Sequence, residues 1–290
     1  GYRRRSKYSA WGGGFDAGYA AHDLFNVSLG VSYNRVDYQL PGPLTKEQMR
    51  QDRRQYQPGI PMWASPSNDD DGDDQFANVN FGVKSFWGAF GQMEVDVLYG
   101  RKDLQINMPA WYVFADTKAD TYAVSPKYIL EKEIFARKNK LIVGVDYYRE
   151  PYEKIFYAER ARNSKNSKAE LEKESIGGYI RDEFSVFKNL ILSAGYRFEH
   201  TKIQGKLNDI VVPANNFDGE KKYTSQAHEI GLTWLWGGQS KSFLRYATVY
   251  RIPFLDEIAG FNGAGGGFLT TLEQEKGSSV EIGTEYYPWE

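Results

Sequence analysis

The chain has 290 residues, 26% of them charged, with a formal net charge of −2 and a mean hydropathy of −0.59. Near-neutral charge removes the basic face on which nucleic-acid binding depends, so no nucleic-acid partner is expected; the absence of cysteine removes disulfides and thiolate metal sites. No apolar run reaches the roughly 18 residues of a transmembrane helix, yet aromatics reach 16%, with 21 Tyr, 17 Phe and 7 Trp. Rings that are apolar on one side and polar at the tip fit the girdles of a membrane barrel, whose lumen-facing residues keep the average polar. The chain opens on Gly1-Tyr2-Arg3-Arg4-Arg5 without the apolar core of a signal peptide, so an internal piece of a longer protein is expected.

In chain order, the dominant signal is alternation with a period of two, which puts residues i, i+2 and i+4 on one face of a strand. Phe25, Val27, Leu29, Val31 and Tyr33 alternate with Asn26, Ser28, Gly30, Ser32 and Asn34. Ala77, Val79, Phe81 and Val83 alternate with Asn78, Asn80, Gly82 and Lys84. Met93, Val95, Val97 and Tyr99 alternate with Gln92, Glu94, Asp96 and Leu98. Farther on, Leu190, Leu192, Ala194, Tyr196 and Phe198 oppose Ser193, Gly195, Arg197 and Glu199. Ile230, Leu232, Trp234 and Trp236 oppose Glu229, Gly231 and Thr233. These runs exceed the roughly five or six residues usual in soluble sheets and suit the about 9–11 tilted residues that cross a bilayer.

Short links are predicted at 21–23, 87–91, 135–139, 188–189, 237–240 and 288–290. Long polar segments are predicted at 39–74, 105–118, 157–173, 205–222 and 252–276. Short turns at one end and long loops at the other are the habit of outer-membrane barrels, with the short turns periplasmic. The expected fold is all-β: an antiparallel transmembrane β-barrel with about eleven strands in this chain. A soluble sandwich or propeller would also alternate, but its apolar face would be a buried core. An odd strand count leaves an edge whose unpaired backbone groups are costly in hydrocarbon, so flanking strands elsewhere in a longer protein are expected.

The C-terminal region carries the most specific motifs. Tyr250-Arg251-Ile252-Pro253-Phe254-Leu255-Asp256-Glu257-Ile258 resembles the aromatic-Arg-x-Pro-x-Leu-x-Glu-Leu segment of TonB-dependent receptors. After a Gly-rich loop, the stretch from Leu272-Glu273-Gln274-Glu275 through Val280-Glu281-Ile282-Gly283 to Tyr286 is similar to a second element of that family. Weaker resemblances lie at Ile176-Gly177-Gly178-Tyr179-Ile180, at 192–199, and at Gly42-Pro43-Leu44-Thr45 with Asp52-Arg53-Arg54-Gln55. The resemblance implies a 22-stranded barrel occluded by an N-terminal plug, energised by TonB, importing a ferric siderophore, haem or cobalamin. No plug, TonB box or terminal aromatic strand is visible in this sequence. The bilayer, its lipopolysaccharide, the TonB complex and a small organometallic substrate are the expected partners, at the cell outer membrane. No enzyme activity is expected. A passive porin-like channel and an adhesion or assembly barrel are the competing functions.

Several residues stand out as candidate sites. Loop aromatics Tyr56, Trp63, Trp111, Tyr112, Phe261 and Phe268 offer rigid area for a ligand, against the plainer reading of loop packing. Arg251 and Glu281 are expected on lumen faces of neighbouring strands, in contact with a plug or in a structural ion pair. A mid-bilayer Arg on the lipid side would cost about 2–4 kcal/mol. The run Asn68-Asp69-Asp70-Asp71-Gly72-Asp73-Asp74 could hold a structural Ca²⁺ through Asp69, Asp70, Asp71, Asp73 and Asp74, although it lacks EF-hand spacing. No cofactor is otherwise required. His22, His200 and His228 show no metal-ligand spacing, and the glycines at 263 and 265–267 lack the Lys-Ser/Thr of a phosphate loop.

Overall fold

A computed structural model describes residues 2–21, 24–236, 239–260 and 267–287. They form one antiparallel sheet of eleven strands, each hydrogen-bonded to the next in the chain. The strands are β1 (Tyr8–Ala21), β2 (Phe25–Gln39), β3 (Asp71–Phe86), β4 (Gln92–Met108), β5 (Val113–Ile134) and β6 (Arg137–Tyr157). They continue as β7 (Lys165–Phe187), β8 (Leu190–Asp209), β9 (Phe217–Leu235), β10 (Lys241–Arg251) and β11 (Glu275–Glu285). Two short helices, α1 (Lys46–Gln51) and α2 (Leu255–Ile258), lie in long connections. No helix among the described residues is long and apolar enough to cross a membrane.

The register makes the apolar face continuous. Phe184 pairs with Leu192, Leu192 with Leu232, Leu232 with Leu244, and Leu244 with Ile282. Ile176, Ile180, Leu232, Leu244, Val280 and Ile282 on this face are exposed. Among the described residues no second sheet covers them, which rules out the sandwich alternative: a soluble protein would bury so large an apolar band.

One link is tighter than the sequence suggests and another falls where it is expected. Phe135 and Ala136 alone join β5 to β6, both with positive φ (52° and 57°), as a two-residue type I′ hairpin needs; the expected link at 135–139 therefore closes earlier. Lys188 and Asn189 join β7 to β8. His22 and the ends of the links at 237–238 and 288–290 lie outside the described residues.

The long connections are shorter than expected. Those predicted at 105–118, 157–173 and 205–222 shrink to 109–112, 158–164 and 210–216, because the strands continue into them. The cause is an inversion of the pattern. On β8, Leu192, Ala194, Tyr196 and Phe198 face outward and Arg197 and Glu199 inward; farther along, His200, Lys202, Gln204 and Lys206 face outward and Thr201, Ile203, Gly205 and Leu207 inward. β7 and β9 do the same. Lys168, Glu170 and Glu172 share the outward face with Ile176, whereas Ala169 and Leu171 turn inward and are buried. Reading hydrophobicity with a fixed inside and outside makes such segments look like polar loops.

The loop at 40–70 is ordered by its own hydrogen bonds. Thr45 and Gln48 form a capping box at the start of α1. Arg3 donates to the carbonyls of Gln55 (3.0 Å), Gly42 (2.7 Å) and Pro41 (3.0 Å). Gly42 has φ +65°, and a Cβ there would sit 2.6 Å from Ser67 Oγ, so the turn requires glycine.

Candidate lumenal site

β10 pairs with β9 only as far as Ala247 opposite Glu229, although it stays paired with β11 up to Arg251 opposite Glu275. Above that point the described stretches 252–260 and 267–274 lie beside β9 and over the inward face of the sheet. Lys221 Nζ donates to Thr270 O (2.7 Å) and pairs with Glu273 (2.8 Å); Tyr223 Oη donates to Leu272 O (2.8 Å). Ser225 Oγ donates to Gln274, whose amide donates to Thr224 O (3.2 Å). Ile203, Tyr223, Ile252 and Ile258 make a buried cluster, against which Tyr250, Leu255 and Phe268 pack. The Phe268 ring lies 5.7 Å from that of Phe217. Gly219 makes room for it: a Cβ there would stand 2.7 Å from the ring.

Arg251 ties this segment to both of its ends. Its guanidinium donates to Glu257 of α2 (2.9 Å) and through Nε to Glu275 of β11 (3.0 Å). Glu257 also accepts from the Phe254 amide (2.8 Å). The Arg251 hydrogen bond, followed by that amide, holds the Glu257 carboxyl below the usual carboxylate range. Pro253 has no amide donor, which suits a strand end.

Below the segment, the inward face carries a ladder of ion pairs. Lys84 and Lys127 both meet Glu94 (2.6 and 2.8 Å). Arg197 bridges Asp146 (2.5 Å) and Glu199 (2.8 Å), and Tyr250 Oη donates to Glu199 (2.9 Å). Arg181 and Arg245 share Glu229 (3.2 and 2.5 Å). Adjacent rows of opposite sign satisfy charges that would otherwise face a low-dielectric wall alone. Above the ladder, α2 closes a chamber of about 430 Å³ against β4–β7, lined by Lys102, Tyr152, Lys154, Lys173, Leu255 and Asp256 among others.

The expected site residues separate. Arg251 and Glu281 do not meet: Glu281 sits opposite Arg245, at 3.7 Å, six residues farther down β10. The partners missed by sequence reasoning are Glu257 and Glu275, although both stand inside the two motifs quoted above. Asp146, Arg197, Glu199 and Tyr250 were also missed as a group; the inward parity of Arg197 and Glu199 was the available signal. Trp63 (78% exposed), Trp111 and Tyr112 (77%) are exposed, in two loops joined by Ser65 N to Ala110 O (3.0 Å). Tyr56 is half-buried. Phe268 is not a free loop aromatic; it is spent on packing the inner wall. Phe261 and the glycines at 263, 265 and 266 lie outside the described residues.

The carboxylates of the acidic run point to different partners. Strand alternation sends Asp71 and Asp73 to the outward face and Asp74 to the inward one. Asp69 and Asp71 pair with Arg160, and Asp73 accepts from Arg35 Nε (2.8 Å). Buried Asp70 accepts from the Ala110 amide (3.1 Å), and Asp74 from Tyr38 Oη (3.3 Å). Among the described residues no group of three or more His, Asp or Glu is placed to hold a metal. His200 and His228 are both on the outward face, His200 within 3.4 Å of Thr224 Oγ1 and His228 beside the Tyr246 ring.

The chain matches the family described as "TonB dependent receptor-like, beta-barrel" over residues 2–290. No curated protein sequence matches it. Among solved structures it is similar to the ferric citrate transporter FecA in its unliganded form, with a TM-score of 0.80 at 15% identity, over 98% of this chain and 42% of that one. It is also similar to the siderophore receptor PiuA from Acinetobacter baumannii (TM-score 0.71, 13% identity, 96% and 47% coverage). The closed form of the ferric-catecholate import receptor Fiu from K12 E. coli gives 0.70 at 11% identity, with 98% and 49% coverage. The chain thus spans a little under half the length of these receptors, and at such identities the likeness concerns the fold. With the family matched from end to end on an eleven-stranded sheet bearing one bare apolar face, the chain belongs to the β-barrel domain of the TonB-dependent receptors, a family of outer-membrane barrels that are transporters rather than enzymes.

Proposed function

We propose that this chain is the ligand-bearing wall of a receptor that takes up a scarce nutrient, a ferric siderophore or a cobalamin-type chelate, energised by TonB through a plug domain. The observation that carries this reading is the packing of the described stretches 252–260 and 267–274 onto the inner wall, fastened there by Lys221, Tyr223, Ser225 and Arg251. A passive porin keeps its bore open for diffusion; a wall dressed with inward structure favours a binding function. The relatives' printed names, a ferric citrate transporter and ferric-catecholate and siderophore receptors, agree with that direction. Trp63, Trp111 and Tyr112 at the long-loop rim are the aromatics available for first contact with a ligand. Lipopolysaccharide is the proposed neighbour of the charged outward face, which carries Lys206 and the Lys202–Glu220–Lys222 cluster.

Growth on single ferric chelates or cobalamin, with and without the gene and with and without a working TonB, tests it. Uptake that needs both the protein and TonB supports active transport. Uptake of small solutes that persists without TonB supports the porin alternative and overturns this one.

A further inference from the structure

The connection between β6 and β7 (158–164) holds its own shape. The Glu159 carboxylate accepts from the amides of Asn163 (2.8 Å) and Ser164 (2.9 Å), Ala158 N donates to Ser164 O (3.0 Å), and Arg162 Nη1 donates to Arg160 O (2.8 Å). Its two arginines reach back across the sheet. Arg162 Nε pairs with Asp116 near the start of β5 (2.8 Å), and its Nη1 donates to Asn107 at the end of β4 (2.9 Å). Arg160 pairs with Asp69 (2.5 Å) and with Asp71 at the start of β3. Asp71, Asn107, Phe114 and Tyr157 form one row across β3–β6 on the outward face. Asn107, Phe114 and Tyr157 are nonetheless buried, and the Arg162 guanidinium lies 5.6 Å from the Tyr157 ring. The connection is therefore folded onto the outside of the wall, the reverse of 267–274, which lies on the inside. A second set of bonds joins the same tips. Ala110 donates its amide to Asp70 (3.1 Å) and accepts from Ser65 N (3.0 Å), Asn107 Nδ2 donates to Asp71 (2.7 Å), and Arg5 reaches Asp69 (3.4 Å). The backbone carries the load: Arg5, Met62, Tyr112 and Arg162 have φ of 58°, 66°, 55° and 60°. Apart from the Phe135–Ala136 turn, these are the positive-φ residues other than glycine among the described residues, one in each joined segment. A residue with a Cβ keeps that conformation only where its surroundings impose it.

We propose that this connection is a strap that locks the outer edge of the rim, with Arg160 as its latch, so that 2–7, 40–70, 109–112 and 158–164 move as one body. The proposal goes beyond the uptake reading and does not depend on it. An exposed ion pair is worth little alone, and a network that shares its members is worth more. Here Asp69 is shared by Arg5 and Arg160, Asp71 by Arg160 and Asn107, and Asn107 by Asp71 and Arg162. Loss of the latch therefore loosens groups that it does not touch. Trp63 stands on the second of these segments, and Trp111 and Tyr112 on the third. The strap thereby keeps the three rings in one arrangement relative to each other.

The test is amide hydrogen exchange, followed by mass spectrometry, on the complete receptor in detergent micelles with no solute added. In Arg160→Gln the amides of 60–70 and 109–112 are expected to exchange about three- to tenfold faster, together with those of 158–164. Arg160→Lys can hold one carboxylate but cannot fork between two, so it should fall between. Arg149→Gln breaks a comparable exposed pair, with Glu172 on the same face, and should leave all three stretches unchanged. Heat-modifiable gel migration reports whether each variant forms a barrel. If Arg160→Gln does not, the parent protein in about 1 M rather than about 0.1 M sodium chloride takes its place, because salt screens exposed pairs. The three stretches should then speed up together. Faster exchange confined to 158–164, no change in any stretch, or an equal change in Arg149→Gln overturns the strap. Since no solute is present, the outcome leaves the uptake reading to its own test.

Discussion

The two halves of the same strands solve opposite problems. Near the short links, β7, β8 and β9 put Ile180, Leu192 and Leu232 outward and Arg181, Arg197 and Glu229 inward. Near the long loops they put Glu170, Lys206 and Glu220 outward and Leu171, Ile203 and Tyr223 inward. In the first half the apolar surface faces a solvent of lipid tails, and the interior is polar. In the second half the outside is charged, and the interior has a small core of its own because a loop has been folded into it. The buried apolar cluster lies in that second half; the first is stabilised mainly by backbone pairing and by the bilayer.

That contrast can be broken by substitutions that move one half's chemistry into the other. The largest effect is expected for Ile203→Ala, which empties a fully buried site: about 2–5 kcal/mol by precedent for core aliphatics, seen as loosening of 252–274 in limited proteolysis, with the barrel still formed. Leu192→Arg places a cation on the lipid face and should cost about 2–4 kcal/mol in reversible unfolding from lipid vesicles. The same arginine at Gln204, also outward but in the charged half, should stay within about 0.5 kcal/mol. Equal costs at 192 and 204 would dissolve the distinction between the halves.

Two smaller effects sharpen it. Arg251→Met leaves Glu257 and Glu275 facing each other without their cation and should loosen the segment only slightly, since the pairs are partly exposed. Glu257 has a carboxyl held below its ordinary value, so its contribution is complete above the unfolded value of about 4.3 and is lost as pH falls through the lower folded value. Protease resistance of 252–274 should therefore persist at pH 5 and decline below about pH 4, and Glu257→Gln should flatten that decline. A decline centred near neutral pH would point to some other group.

Much of the architecture is legible in the sequence, and for a definite reason. Where outward residues meet lipid, alternation is strict, so segments such as 25–34 and 190–199 announce themselves. The upper reaches of β7, β8 and β9 did not, because there the sign of the alternation reverses and a charged outward face such as Lys168, Glu170, Glu172 and Glu174 reads as loop. The Arg251 hub was half legible: the motif named Arg251, Glu257 and Glu275, but only the register showed that Arg251 faces Glu275 and that Glu281 belongs to Arg245.

The links Phe135–Ala136 and Lys188–Asn189 contain no spare residues. Hairpins clamped so closely at one rim cannot slide or splay there without breaking ladder hydrogen bonds. Any rearrangement that accompanies passage of a solute must then be taken up at the far rim, by stretches such as 40–70, 252–260 and 267–274. The sheet behaves mechanically like a comb held by its spine, stiff where it is joined and compliant only at the tips of its teeth.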